Sequence, residues 1–163
     1  MRIDSIKKTT GVALVTLLFG FAAIGLAQDK PADNMQILRD KIKADKKLLV
    51  AVNMELTEAE AKGFWPVYDA YQKDLQKINR RIVGLLENYV ADYRGKSLTD
   101  DKAKKLIDEA IAIEVAEANL KSAYAPKLGK ALPVKKVARY LQIENKIRAV
   151  IKYDLVQGVP LVQ

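Results

Sequence analysis

The chain has no cysteine and no histidine among its 163 residues. No disulfide, thiol nucleophile or thiolate metal site can therefore be built. The commonest general base and the commonest transition-metal ligand are missing as well. Tryptophan occurs once, proline 5 times and glycine 8 times. The sequence contains no Gly-rich phosphate loop, no GxSxG elbow and no EF-hand loop. These absences disfavour an enzyme, and they assign no catalytic residue, no cofactor and no metal site. The length suits one modest domain rather than two.

What is present begins with an address. Arg2, Lys7 and Lys8 form a basic start, and Val12 to Ala27 is apolar or small except for Thr16. This run of 16 residues is shorter than the ~20 a spanning helix needs. It closes on Gly25-Leu26-Ala27, with small residues where a signal peptidase reads, and Gln28-Asp29-Lys30-Pro31 turns polar. The pattern is that of a secretory signal peptide. Residues 1–27 are expected to be removed, leaving 28–163 as a single exported domain with no integral membrane segment. A core of that size without disulfides favours a regular helical fold over a loop-rich one.

The apolar spacing predicts four helices. Asp33 or Asn34 can cap the first, and Leu38, Ile42, Leu49 and Val52 give it one face. Thr57-Glu58-Ala59-Glu60 reads as a capping box for the second, with Leu56 before the cap. Phe64, Tyr68, Tyr71, Leu75, Ile78, Ile82, Leu85, Tyr89 and Tyr93 then form a heptad stripe that stops at Arg94-Gly95. Thr99 can cap the third, whose stripe is Leu106, Ala110, Ile113, Leu120 and Tyr124, widened by Ile107 and Ile111. The short joint 95–98 predicts an antiparallel hairpin. The fourth opens at Leu132-Pro133 and carries Val137, Tyr140, Leu141, Ile147, Val150 and Ile151, with Glu144 and Arg148 as a surface pair. The expected fold is all-α: an elongated antiparallel hairpin with a kinked long helix and flanking helices. Pro66 is expected to bend the second helix near residues 61–63, and Pro126 the third. The tail 157–162 is expected to lie extended in a helix groove.

Charge is segregated. Residues 127–163 carry eight basic and two acidic groups, which is the whole net excess of the chain beyond the leader. Lys135, Lys136, Arg139 and Arg148 belong to it, and such clustering makes a local positive field. An exported protein seldom meets nucleic acid, and no recognition helix or RNP motif is present. The carboxylate pairs Glu58/Glu60, Asp100/Asp101 and Asp108/Glu109 sit at helix starts or on polar faces, where the helix dipole explains them. The tyrosines of the long stripe read first as core. With Phe64 and Trp65 they can also line an apolar cradle, and Trp65, off the stripe, is the aromatic expected to be exposed.

Leu56-Thr57-Glu58-Ala59-Glu60 and Leu98-Thr99-Asp100-Asp101-Lys102 resemble the LTxxQ motifs of the Spy/CpxP group of small helical periplasmic proteins. Glu60 and Lys102 stand where that motif has glutamine. The resemblance implies a periplasmic homodimer that works without ATP. It would hold unfolded or partly folded envelope proteins on a basic, partly apolar cradle. Related metal-sensing members use histidines or cysteines, which this chain lacks, so metal sensing is disfavoured. Phe64, Trp65, Tyr68, Lys135, Lys136, Arg139 and Arg148 are the client-binding candidates. Leu56, Thr57, Glu60, Leu98 and Thr99 are the motif and cap residues. The alternative is a regulatory or scaffolding module that docks the periplasmic domain of a membrane sensor.

Overall fold

A computed structural model describes residues 31–162; the segment read as a leader, and Gln163, lie outside them. The chain folds as α1 (Pro31–Met54), α2 (Glu58–Arg94), α3 (Asp100–Gly129) and α4 (Val134–Val156). Among the described residues there is no strand, and no helix is long and apolar enough to cross a membrane.

The second helix forms where its cap residues place it. Thr57 Oγ1 accepts from the Glu60 amide at 3.3 Å, and the Glu60 carboxylate accepts from the Thr57 amide at 2.8 Å. Such a cap contributes about 1 kcal/mol. Its 37 residues extend for about 56 Å at ~1.5 Å per residue. Thr99 caps α3 by accepting from the Lys102 amide at 3.3 Å. The left-handed residue in the α2–α3 turn is Lys96 (φ 50), whereas Gly95 stays right-handed (φ −76).

The first helix departs from expectation. It starts at Pro31, ahead of Asp33 and Asn34, as suits a proline in a first turn. It breaks at Asp45 (φ −162, ψ 96), whose carboxylate accepts from the Leu48 amide at 2.8 Å and so caps the second half. Val50 and Met54 are buried there, while Val52, expected to face inward, is 69 % exposed. The Leu38 side chain lies outside the described residues. By contrast α2 and α3 run uninterrupted through Pro66 and Pro126. Any bend those prolines impose is absorbed within the helix.

Cross-helix pairs set the directions. Lys47–Asp69 runs α1 against α2, Arg81–Glu109 runs α2 against α3, and Glu117–Lys152 runs α3 against α4. This is an up-down-up-down bundle. α2 Cα atoms come within 8 Å of α3 but not of α4. Rings fill the space between α2 and α4: Phe64 meets Tyr140 at 5.2 Å between centroids, and Tyr71 meets Tyr140 at 5.9 Å and Tyr124 at 5.4 Å, all edge-on. Pairs of this kind add about 0.5–1.5 kcal/mol each beyond burial. At the head of the bundle Gly63 lets the α3–α4 turn approach, since a Cβ there would lie 3.0 Å from Ala131 Cβ.

The core clusters at this proximal end, around Val50, Met54, Phe64, Tyr68, Tyr71, Tyr124, Leu128 and Tyr140. Burial, and then the nearby Glu144 charge, push the phenols of Tyr68, Tyr71 and Tyr140 well above their ordinary value. An unfolded phenol ionises near pH ~10. Above that pH the unfolded chain has released protons that the folded chain still holds, so stability falls. We predict that helix loss by circular dichroism and a step in tyrosinate absorbance coincide in one alkaline transition. Tyrosinate absorbance complete before any helix is lost would contradict it.

Candidate protein-binding site

The residues proposed from sequence as one client surface do not form one. Phe64 and Tyr68 are core residues, because the α2 stripe faces Tyr140 of α4. Trp65 is half-buried and not exposed: it packs on Phe64 and Tyr68, and Lys47 Nζ sits 5.2 Å from its ring centroid. Arg148 is buried and ion-paired to Glu117, so the expected Glu144–Arg148 surface pair is replaced by two interior pairs with other helices.

The basic end of α4 is largely a clamp. Lys136 Nζ reaches Glu60 at 2.5 Å and the Glu55 carbonyl at 2.9 Å, and Arg139 meets the Glu55 carboxylate at 3.0 Å. Glu55 is left-handed (φ 49), a conformation that costs a non-glycine residue about 1–2 kcal/mol. Two cations of α4 thus grip the strained α1–α2 turn. The Lys136 ammonium and the Thr57 amide hold the Glu60 carboxyl below its usual range. Lys135 remains exposed.

Both LT motifs start helices, and the residues standing for glutamine make ion pairs. Glu60 pairs with Lys136, and Lys102 pairs with Asp92 at 2.6 Å. Leu56 packs against the core and Leu98 lines a groove at the far end of the hairpin. Of the other carboxylates, Asp108 meets Lys104 at 2.7 Å and Glu109 meets Arg81 at 2.8 Å, while Glu58, Asp100 and Asp101 are exposed acids of first helical turns.

A polar seam crosses the bundle interior, and sequence reasoning missed it. Glu144 is fully buried, with Lys46 Nζ at 2.7 Å; Gln72 bonds to both and to the Tyr140 hydroxyl at 3.3 Å. One helical turn on, Arg148 bonds Asn79 at 2.5 Å and pairs with Glu117, which also takes Lys152 at 2.9 Å. Burial pulls the Lys46 ammonium below its ordinary value while Glu144 opposes the shift. Tyr71 Oη and Arg148 Nε are buried without a hydrogen-bond partner. The seam was readable in one respect: Gln72, Asn79, Glu117 and Glu144 each fall three or four residues from core positions on their own helices.

The distal half is built differently. There the hairpin of α2 and α3 extends past the four-helix core, and its apolar face is only partly covered. Leu85, Leu86, Tyr89, Leu98, Leu106 and Ile107 line a groove of about 460 Å³ together with Ala103, Ala110 and Val162. Ile107 and Ile111, expected to widen the inward stripe, are 58 % and 57 % exposed, and Val115 is similar. Helix α3 is therefore apolar on two faces. Ile113, Tyr124 and Leu128 point to the core, and Ile107, Ile111 and Val115 point away from it. The opposite side of the hairpin is polar, closed by Arg81–Glu109 and Lys102–Asp92. Among the described residues no cluster of acidic side chains is placed to hold a metal ion. No family model, no curated protein and no solved structure matches the chain.

The seam makes a direct prediction. Lys46→Met leaves the buried Glu144 carboxylate without its counter-ion, which costs about 3–5 kcal/mol. Lys46→Met/Glu144→Leu, replacing both charges with apolar groups, recovers most of the loss. Urea unfolding of the two variants measures it. A single variant as stable as the parent would contradict the geometry.

Proposed function

We propose that the chain is an exported, non-enzymatic protein-binding module. It holds exposed apolar segments of unfolded or partly folded envelope proteins without ATP, as the Spy/CpxP resemblance implies. The observation that carries this reading is the uncovered apolar face of the distal hairpin. A contiguous groove whose lining side chains are aliphatic, apart from Tyr89, beside a helix with a second apolar face, is unusual on a surface with no partner. Chemistry on a bound substrate has no comparable support: Glu58, Asp100 and Asp101 stand exposed in first helical turns, and Glu60, Asp108 and Glu109 are ion-paired.

The binding surface differs from the one the sequence suggested. Phe64, Tyr68 and Arg148 lie in the interior, and Lys136 and Arg139 are engaged with Glu60 and Glu55. The cradle in this reading is Ile107, Ile111, Leu85 and Leu98. Export to the periplasm and association as a homodimer belong to the same proposal.

The test is aggregation of a heat-unfolded client, followed by light scattering with the exported chain at equimolar ratio and low salt. The parent slows aggregation, and Ile107→Asp/Ile111→Asp, at exposed positions that leave the core intact, removes most of that effect. No suppression by the parent would overturn the reading. Recovery of one dominant folded partner, without any effect on generic clients, would replace it with docking to a sensor domain.

A further inference from the structure

The segment after α4 indicates what the distal groove accepts. Past Val156 the chain turns, with the Val159 amide donating to the Val156 carbonyl at 3.0 Å. The Pro160 carbonyl then accepts a hydrogen bond from the Tyr89 hydroxyl at 2.7 Å. Val162 lies at the mouth of the groove beside Leu98, and also faces Tyr93 and Thr99. Gly158 and Val159 lie along Leu86, Val90 and Arg94 of α2, outside that groove, and the segment then crosses the end of α2 so that Pro160 and Val162 reach the apolar face.

It sits there lightly. Leu161 is 87 % exposed and Val162 63 %. Tyr89 makes the one hydrogen bond from the hairpin to this segment among the described residues. A bond of this kind contributes about 1 kcal/mol net, and the part-exposed valine gives back only a fraction of its burial energy. Most of the groove stays open beside it.

We propose that residues 160–162, anchored by Val159 against α2, are a built-in occupant of the client groove, which a client segment must displace. This rests on the protein-binding function proposed above and names its partner class: an extended, uncharged, apolar peptide segment that offers a backbone carbonyl to Tyr89. The aliphatic walls offer no counter-charge, so a charged side chain placed there loses hydration without compensation. A backbone N–H facing those walls also lacks an acceptor, and proline removes that donor. The tethered segment lowers the apparent affinity of every client by the fraction of time that the groove is free. Segments that fit no better than Val159-Pro160-Leu161-Val162 are thereby held more weakly.

The experiment uses a fluorescent peptide with the sequence of residues 157–163 and the full exported chain. Val159→Asp/Val162→Asp releases the segment without touching a helix. If the segment occupies the groove nine-tenths of the time, the released variant binds the peptide about tenfold more tightly than the parent. Adding Ile107→Asp to it abolishes binding, and adding Tyr89→Phe weakens it. Equal binding to parent and released variant, or no binding to the released variant, overturns the proposal. A second readout leaves the groove unchanged and alters only one exposed side chain of the segment. Because the chain has no cysteine, Leu161→Cys accepts a single nitroxide at an exposed site. Its mobility rises when excess peptide is added to the otherwise unchanged chain, and a spectrum insensitive to saturating peptide counts against displacement. Suppression of client aggregation that the peptide does not compete would sink this inference and leave the general function standing. Peptide binding with no client held would do the reverse.

Discussion

A carboxylate with no access to water sets the plan of this molecule. Glu144 lies in the interior of the bundle, where an unpaired charge is prohibitively costly. Lys46 neutralises it from α1 and Gln72 bonds it from α2. Those partners can meet only if three helices hold one register, so a polar group fixes what apolar packing alone leaves loose. Such a seam adds little net stability over an apolar replacement, since desolvation offsets most of the attraction. Its effect is to exclude other alignments, because sliding a helix by one turn would strand a charge.

The rest of the architecture follows from where that seam lies. It ties α1, α2 and α4 together at the proximal end, and the rings of Tyr71, Tyr124 and Tyr140 pack beside it. Lys136 and Arg139 fasten the α1–α2 turn above it. The Arg148–Glu117–Lys152 group fastens α3 to α4 below it. Beyond that point the buried residues thin out, and the α2–α3 hairpin continues with Tyr89 as its last buried residue on α2. Half of the molecule is locked by charge and aromatic packing. The other half keeps an apolar face covered only by a loosely held segment. Under the function proposed above, this division lets the gripping end adapt while the bundle stays folded.

Much of this was readable in the sequence. The Thr57 cap, the end of α2 at Arg94 and the hairpin follow from local chemistry, which sequence displays directly. What was not readable depends on which helix faces which. The stripe from Phe64 to Leu75 looks the same whether it faces solvent or Tyr140, so Phe64 and Tyr68 were assigned to a surface. Arg148 looks like a solvated cation until Glu117 of another helix is brought to it. Asp45 breaks α1 without a proline or glycine to announce it, and that break turns Val52 outward. Ile107 and Ile111 fit an inward stripe by spacing, yet both are more than half exposed among the described residues. Charge counts place most of the basic excess on α4, with Lys127 in α3 and Lys130 in the turn, but its partners Glu55, Glu60 and Glu117 come from three other parts of the chain.

The central claim is that one end of the molecule is locked and the other is open. Native-state amide hydrogen exchange resolved by residue tests it most directly. The account predicts that amides of residues 64–78, 113–124 and 140–150 exchange only through global unfolding. Those of residues 83–93 and 101–111 exchange through a smaller opening of lower free energy. Uniform protection along the full length of α2 and α3 would contradict it.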